Sequence, residues 1–393
     1  MKIFLSEKEI KNHKSSVLDK MNKNDVDVLC LFSPKSIFYL TGLHMIQTER
    51  PMALIFDGSK TNMFVPLLER EHVEVLGGVD EIITYDEYPG DKHPMEILAR
   101  KIEDFNPDLL GVDSDGYGGG FGYQGPPLSD KLNTEIKKLP QLIRELREIK
   151  SEEEIELIKE SARWGNLAHR FLQDFTKPGL KENEISTRAS LEASKVMIKT
   201  LEDSYYPVKG SSLPASAGFR GQIGEGSALP HALTTNETIE EGDILVTGAS
   251  ADIGGYTSEL ERTMVMGRPS ERQEKYFNLM LEAQNIAISA ISPGKKFSDV
   301  DKEVKRFYEK EGIMDYWRHH TGHSIGIGGH EAPYFDKGDD RELKPGMVVT
   351  IEPGIYIPDF AGFRHSDTAV VTEEGNELIT YYPRDFESLT IEH

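Results

Sequence analysis

The most constraining feature of this sequence is the segment 242–263, in which two apolar runs flank a pair of glycines. This pattern predicts two antiparallel strands joined by a tight turn around 252–255. A turn centred there would place Gly248 opposite Glu259. Because side chains alternate between the two faces of a strand, Glu259 and Glu261 would share one face. Two carboxylates on one face either point into water or repel each other until a cation, a cationic substrate or a shared proton holds them.

Further polar groups lie downstream of this hairpin. Four of the twelve histidines fall within 319–330, and neutral imidazole suits both metal binding and proton transfer. Glu352 ends the apolar run 347–351, where a charge is rarely found without a partner. His231 follows a Leu-Pro pair. Each feature also has an ordinary alternative: a surface histidine cluster, a structural salt bridge and a structural histidine.

The pattern of apolar residues changes near residue 148. Before it, short apolar runs alternate with helical patterns, which indicates an α/β layer with a mixed sheet. After it, Ser151 and Glu154 form a capping box that predicts the start of a helix. We therefore predict an α/β domain over 1–147 and an α+β domain over 148–393, with helices packed on a curved antiparallel sheet. The predicted strands are 26–32, 52–56, 62–66, 109–112, 244–247, 256–265, 347–351 and 369–371, and the predicted helices are 6–22, 67–76, 94–105, 183–200, 270–291 and 298–312, besides the helix that follows Ser151.

The composition narrows the classes of partner. A formal charge of -22 over 393 residues argues against nucleic acid and against anionic membrane. The sequence contains no apolar stretch of about 18 residues, so no membrane span is predicted, and the N-terminus lacks a signal-peptide pattern. Its single cysteine, Cys30, cannot form an internal disulfide, which is typical of a reducing compartment. We expect a cytoplasmic protein that acts on a small molecule or a short peptide.

Together these motifs resemble the Xaa-Pro aminopeptidase, prolidase and creatinase family. The resemblance rests on Thr-Gly-His at His323, Ile-Glu-Pro-Gly at Glu352, Leu-Pro-His at His231 and the run Gly-Phe-Arg-His-Ser-Asp-Thr at 362–368. It extends into the N-terminal half through Ile-Phe-Tyr-Leu-Thr-Gly at 37–42. The resemblance implies a creatinase-type accessory domain, a pita-bread catalytic domain and a homodimer.

Peptidases of this family hold two divalent metals with two Asp, one His and two Glu. In this sequence the resemblance retains the histidine as His323 and one glutamate as Glu352, and it places Glu259 where the second aspartate stands. The first aspartate falls on Gly248 and the bridging glutamate on Ser366, so the usual ligands are lost at both positions. A single divalent metal (Mn, Co or Zn) at Glu259, His323 and Glu352 would remain.

Creatinase is a precedent for this fold without metal. By that resemblance His231 is expected to relay a proton, and Glu261 and Glu352 are expected to hold a cationic C–N group. His323 and His330 would support the leaving group or the oxyanion. The resemblance also places Arg50 near the site of a partner subunit, which requires a homodimer. The predicted substrate-binding residues are Arg50, Tyr256 and Arg364.

We therefore predict a metal-independent C–N hydrolase of a small zwitterionic amide or guanidino compound, with no cofactor expected. Two alternatives stay open. The first is an Xaa-Pro dipeptidase or aminopeptidase that uses a single divalent metal, which would polarise the carbonyl and activate water. The second is a non-catalytic descendant that binds a peptide or a protein in the cleft.

Overall fold

The chain divides into two compact units in a computed structural model that describes residues 4–205 and 213–392. One unit spans Leu5–Arg147, and the other begins at Glu148. Within the described ranges, no helix has both the length and the hydrophobicity needed to cross a membrane.

The first unit is built on one six-stranded mixed sheet. Its strands are β1 (Val28–Leu31), β2 (Ala53–Phe56), β3 (Thr61–Pro66), β4 (Glu81–Tyr85), β5 (Leu109–Val112) and β6 (Glu135–Lys138), and its helices are α1 (Glu7–Lys23), α2 (Pro34–Thr41), α3 (Arg70–Leu76), α4 (Pro94–Glu103) and α5 (Leu142–Leu146). The strand order is β4-β3-β2-β1-β5-β6. Strands β1 to β3 pair antiparallel and the other neighbours pair parallel. All four residues of β1 are buried, as its continuous apolar run predicts for a strand covered on both faces.

The second unit packs helices against antiparallel sheets. Its helices are α6 (Glu152–Phe175), α7 (Glu182–Leu201), α8 (Glu271–Ala290) and α9 (Phe297–Lys310). Its strands are β7 (Ala215–Gly218), β8 (Ile244–Ala251), β9 (Leu260–Met266), β10 (His323–Ser324), β11 (Glu331–Tyr334), β12 (Val348–Ile351), β13 (Gly354–Ile357), β14 (Ala361–Arg364), β15 (Asp367–Val371), β16 (Asn376–Leu378) and β17 (Thr390–Ile391). The sheets run β17-β9-β8-β7 and β11-β10-β12-β15-β16, with β13-β14 as a separate hairpin. Among the described strands of this unit, only β17 pairs parallel with its neighbour, so the expected antiparallel character holds for the others.

The hairpin between β8 and β9 turns one residue later than predicted. Gly254 and Gly255 are its two central residues, with φ of 54° and 86°. Ile253 and Tyr256 flank them and exchange two backbone hydrogen bonds of 3.0 and 2.9 Å. Two successive left-handed residues form the hairpin turn whose twist matches the flanking strands, and glycine adopts that conformation at least cost.

This shift changes the register of the hairpin by two residues. Gly248 lies opposite Glu261, so the predicted pairing of Gly248 with Glu259 is wrong. Strand β9 also starts at Leu260 rather than at residue 256, and Glu259 immediately precedes it. The Glu259 backbone is fixed instead by Thr368, whose hydroxyl accepts from the Glu259 N–H at 2.9 Å and donates to the Glu259 carbonyl at 2.8 Å.

One isolated backbone pair connects the two sheets of the second unit. Glu261 and Ser366 exchange two backbone hydrogen bonds, each of 3.0 Å. The next residue, Arg262, points to the opposite face of β9, where its Nη2 lies 2.7 Å from Oδ1 of Asp367 in a fully buried ion pair. The pair of Glu261 with Ser366 thereby brings the polar face of β9 against the segment that follows β14.

Candidate functional site

A cluster of carboxylates and imidazoles lies where these strands meet. Glu261 comes from β9 and Glu259 from the residue before it, His323 from β10, and Glu352 from the residue after β12. Side-chain donor atoms of Glu259, His323 and His330 lie within 4.8 Å of one another, and so do those of Glu259, Glu261 and Glu352. The structure therefore brings together five of the residues that the sequence singled out. We call these five residues the carboxylate–histidine cluster.

The His323 ring is held in one orientation. Its Nδ1 lies 3.0 Å from the Ser324 carbonyl, which can only accept a hydrogen bond, so Nδ1 carries a hydrogen. Its Nε2 then faces the cluster and lies 3.1 Å from Oε1 of Glu352. The ring of His330 stacks on that of His323 at a centroid distance of 3.9 Å. Metal-ligating histidines are commonly oriented in this way, with the second ring nitrogen donating to a carbonyl.

The acidic and basic groups of the cluster perturb one another strongly. Burial, and then the charges of Glu352 and Glu261, raise the pKa of Glu259 to about 8. Burial alone would lower the pKa of His323 and raise that of Glu352, but their mutual hydrogen bond and charges outweigh it. The pKa of His323 is raised to about 9 and the pKa of Glu352 is lowered to about 2. Buried carboxylates crowded in this way favour the binding of a cation.

Glu261 is held by arginine. Arg364 donates from Nε to one carboxylate oxygen of Glu261 and from Nη2 to the other, the latter over 2.9 Å. Arg220 donates from Nη2 to Oε1. Burial would raise the pKa of Glu261, but the charges of Arg364 and Arg220 overcome it and hold that pKa below its usual value. Both oxygens of Glu261 are thus engaged by guanidinium groups.

A chain of hydrogen bonds runs from Arg364 away from Glu261. Arg364 Nη1 donates to the Tyr356 hydroxyl over 2.7 Å, and that hydroxyl lies 2.8 Å from His319 Nε2. His319 Nδ1 lies 2.9 Å from the carbonyl of His320, so Nδ1 is the donor and Nε2 accepts from Tyr356. These hydrogen bonds fix the Arg364 guanidinium on the side that faces away from Glu261.

Three residues of this arrangement, Arg220, Tyr356 and His319, had no role predicted from the sequence. Tyr356 lies in an apolar strand and gives no polar signal in the sequence. His319 belongs to the histidine cluster, but that pattern does not reveal its partner. Arg220 precedes a glycine, which indicates a turn but no partner for the arginine, so its contact with Glu261 could be found only in three dimensions.

Three of the predicted site residues lie outside the carboxylate–histidine cluster. Tyr256 is only 1% exposed, and its hydroxyl donates to Glu154 Oε1 over 2.6 Å, so this side chain supports the first turn of α6 rather than offering a surface to substrate. Arg50, in the first unit, donates from Nε to Glu87 over 2.7 Å and from Nη1 to Glu49. His231 is exposed in the loop after the short 3-10 helix Gly224–Ala228.

Ser366 and its neighbour His365 point to opposite faces of the backbone. The Ser366 hydroxyl donates to Glu259 Oε1 over 2.7 Å. His365 packs edge-on against Phe277 of α8 at a centroid distance of 5.2 Å. Ser366 therefore contacts the cluster through a hydroxyl, and His365 belongs to the hydrophobic core.

Comparison with known families accounts for both units. Residues 14–149 match the creatinase/prolidase N-terminal domain, and residues 156–373 match metallopeptidase family M24. The chain belongs to metallopeptidase family M24. The C–N hydrolase class that the sequence predicted is confirmed at the level of this family.

Relatives and solved structures agree with this family. The Xaa-Pro dipeptidase of Pyrococcus furiosus is 31% identical over 93% of this chain and 96% of its own length. The Xaa-Pro dipeptidase of Pyrococcus horikoshii is 29% identical over 96% of this chain and 99% of its own length. The structure of an Xaa-Pro dipeptidase from Bacillus anthracis superposes with a TM-score of 0.80 at 26% identity, covering 96% and 99% of the two chains. The predicted combination of an accessory domain with a pita-bread catalytic domain is thereby confirmed.

These findings correct one expectation. No cofactor was expected from the sequence, but this M24 family member has a group of side chains, Glu259, His323 and His330, that could hold a metal ion. The donor set fits a divalent ion, since it combines a carboxylate with two imidazoles, and the other ring nitrogen of His323 is already bonded to the Ser324 carbonyl. The expectation of no cofactor is wrong, and the metal-using alternative is better supported than metal-independent hydrolysis.

Proposed function

We propose that this M24 family member is an Xaa-Pro dipeptidase that uses a single divalent ion. Glu259, His323 and Glu352 would hold that ion. The observation that carries the proposal is that the partly buried Glu259 lies in one group with His323 and in a second group with the buried Glu352, whose Oε1 is 3.1 Å from the oriented Nε2 of His323. Two relatives of this chain, at 29 and 31% identity, are named Xaa-Pro dipeptidases. A bound ion would polarise the scissile carbonyl and lower the pKa of a bound water.

The side chains around the ligands would then bind and orient the peptide. Burial and the neighbouring His323 lower the pKa of His330, so its imidazole is neutral at pH 7 and its N–H can donate to the carbonyl oxygen as negative charge develops. His231 is exposed, and its neighbour Pro230 accepts a hydrogen bond of 3.4 Å from Arg364 Nη1. From this loop His231 would pass a proton to the departing proline nitrogen.

The proposal is tested with chelator-treated protein reloaded with Mn, Co or Zn. Hydrolysis of Ala-Pro and Met-Pro is expected to return and to level off at about one equivalent of metal, with Ala-Ala hydrolysed far more slowly. Glu259→Gln and His323→Asn should each abolish the metal-dependent rate. Glu192→Gln, which removes an exposed carboxylate paired with Lys195, serves as the control and should leave the rate unchanged. Absence of turnover with every metal, even in excess, would refute the proposal.

Assembly and compartment belong to the same proposal. We propose a cytoplasmic homodimer in which Arg50 of one subunit binds the substrate carboxylate at the partner's site, where a bidentate guanidinium suits a carboxylate. The buried single cysteine, Cys30, supports a reducing compartment. Light scattering gives the mass in solution. Mixed dimers of Arg50→Ala and His323→Asn subunits should retain one functional site in two, whereas independent subunits would retain none.

A further inference from the structure

Arg220 lies at the tip of a tight turn in an unusual backbone conformation. The N–H of Gln222 donates to the Phe219 carbonyl over 3.0 Å and closes the turn. Its two central residues, Arg220 and Gly221, have φ of 56° and 73°. Left-handed backbone costs free energy for a residue with a side chain as long as that of arginine, so the surroundings must hold it there.

The guanidinium of Arg220 occupies the space beside Gly248. A Cβ added to Gly248 would lie 3.4 Å from Nη2 of Arg220 and 3.5 Å from Oε1 of Glu261. Strands β7 and β8 place Gly218 directly opposite Gly248. Because Gly248 carries no side chain, the guanidinium lies beside its bare backbone, and a carboxylate at position 248 would compete with it for this volume.

Arg220 also supplies positive charge to the buried carboxylate of Glu261. Glu261 is buried, and a buried carboxylate is costly unless it is paired and hydrogen-bonded. Arg364, itself buried, contacts both of its oxygens, and Arg220 adds a donor to Oε1 from a side chain that remains 52% exposed. The two arginines thus neutralise Glu261, which is one of three neighbouring carboxylates; the other two are Glu259 and Glu352.

We infer that Arg220 stands in for a cation beside Glu261. Its guanidinium fills and neutralises the part of the site next to Gly248, and this limits the chain to the one divalent ion held by Glu259, His323 and Glu352. This inference rests on the proposed function in one respect, the binding of a single divalent ion by Glu259, His323 and Glu352. Arg220 is a positioning residue here, because it acts through Glu261.

The test counts Mn²⁺ ions per chain by equilibrium dialysis and elemental analysis. Gly248→Asp alone should add no ion, because Arg220 would pair with the new carboxylate. The combination of Gly248→Asp with Arg220→Ser should add about one ion, because two free carboxylates then border a space without a cation. An ion gained by Arg220→Ser alone would also support the inference, since the emptied place then takes a cation.

Two results would overturn the inference: an extra ion in Gly248→Asp alone, or none in the double variant. The double variant is also made with Arg220→Gln, which keeps most of the side-chain volume, so that a folding defect in one version does not decide the outcome. Arg163→Ser is the matched control, because it removes an exposed arginine paired with Glu160 on α6 and should leave the count unchanged.

The wild-type count tests the proposed function separately. If the wild type binds no ion and the double variant binds one, the proposed function fails and the role of Arg220 stands. If the wild type and the double variant both bind one ion, the proposed function stands and the role of Arg220 fails.

Discussion

The hydroxyl of Ser366 donates a hydrogen bond of 2.7 Å to Oε1 of Glu259, and the backbone of Ser366 is paired with Glu261. A single residue thereby fixes one carboxylate through its side chain and positions a second through its backbone. The hydroxyl stabilises the ionised form of Glu259, which is the form that binds a cation.

Ser366→Ala is therefore expected to weaken divalent metal binding. Removal of a hydrogen bond that orients a ligand commonly lowers metal affinity by about 10-fold or more. The dissociation constant for Mn²⁺, measured by titration calorimetry, should rise by about that factor. Ser194→Ala is the control, because that buried hydroxyl bonds to the backbone of Ala215 in β7. An unchanged dissociation constant in Ser366→Ala would contradict the assigned role.

Metal binding should release protons and strengthen as the pH rises. With pKa values of about 8 for Glu259 and about 9 for His323, both groups are protonated at pH 7 in the metal-free chain, and a ligand must lose its proton to bind. We expect the release of about two protons per ion at pH 7, so the association constant should rise by roughly two orders of magnitude per pH unit between about 6 and 8. Calorimetry in buffers of different ionisation enthalpy measures the released protons. A pH-independent constant would contradict these pKa shifts.

The same shifts predict that the metal-free chain loses stability as the pH rises. Each folded-state pKa lies above its ordinary value, 4.5 for Glu259 and 6.5 for His323, so the folded state binds more protons than the unfolded state. The contribution of Glu259 should fall between about pH 4.5 and 8, and that of His323 between about pH 6.5 and 9. Thermal unfolding of chelator-treated protein across this range measures the loss. His323→Gln should flatten the decline above pH 6.5, and a midpoint that rises with pH would show the sign to be wrong.

The buried ion pair of Arg262 with Asp367 should contribute strongly to stability. Arg262→Met removes the guanidinium that donates to Oδ1 of the buried Asp367 and leaves Arg384, whose Nε lies 3.5 Å from Oδ2, as its neighbouring cation. Removal of one member of a buried ion pair costs about 3–5 kcal/mol. Denaturant unfolding of both proteins measures the difference. Lys195→Ala, which breaks the exposed pair with Glu192 on α7, should cost less than about 1 kcal/mol. Equal costs for the two variants would argue against this view of the buried pair.

The residues that lie together in the candidate site were easier to predict from the sequence than their geometry. Each of Glu259, Glu261, His323 and Glu352 is a polar residue in or next to an apolar strand, a combination that a one-dimensional pattern reveals. The register of the hairpin depended on which two residues occupy the turn, and the choice between 253–254 and 254–255 moves every pair by two positions. The left-handed φ of both Gly254 and Gly255 decides that choice, and it becomes visible only in the structure.

Three of the elements that the sequence missed, all in the first unit, lack the apolar pattern that would have revealed them. Strand β6 (Glu135–Lys138) carries two lysines and a glutamate at the edge of its sheet, so it lacks an apolar run. Strand β4 (Glu81–Tyr85) is also an edge strand, and most of it is partly exposed. Helix α2 (Pro34–Thr41) is buried over most of its length and so lacks the polar face that reveals a helix in sequence. The secondary structure of these three segments therefore depends on their tertiary packing rather than on a local sequence pattern.

The alternation of Glu261 and Arg262 along β9 has a further consequence for the population of folded molecules. A hairpin assembled one residue out of step would turn every side chain to the opposite surface, so that an arginine would enter the cleft and a glutamate would be driven into the interior beside Asp367. Such a species would suffer repulsion between two enclosed acids. Catalytic competence and resistance to proteolysis are therefore linked in this chain, because the error that disrupts the site also exposes the molecule to degradation.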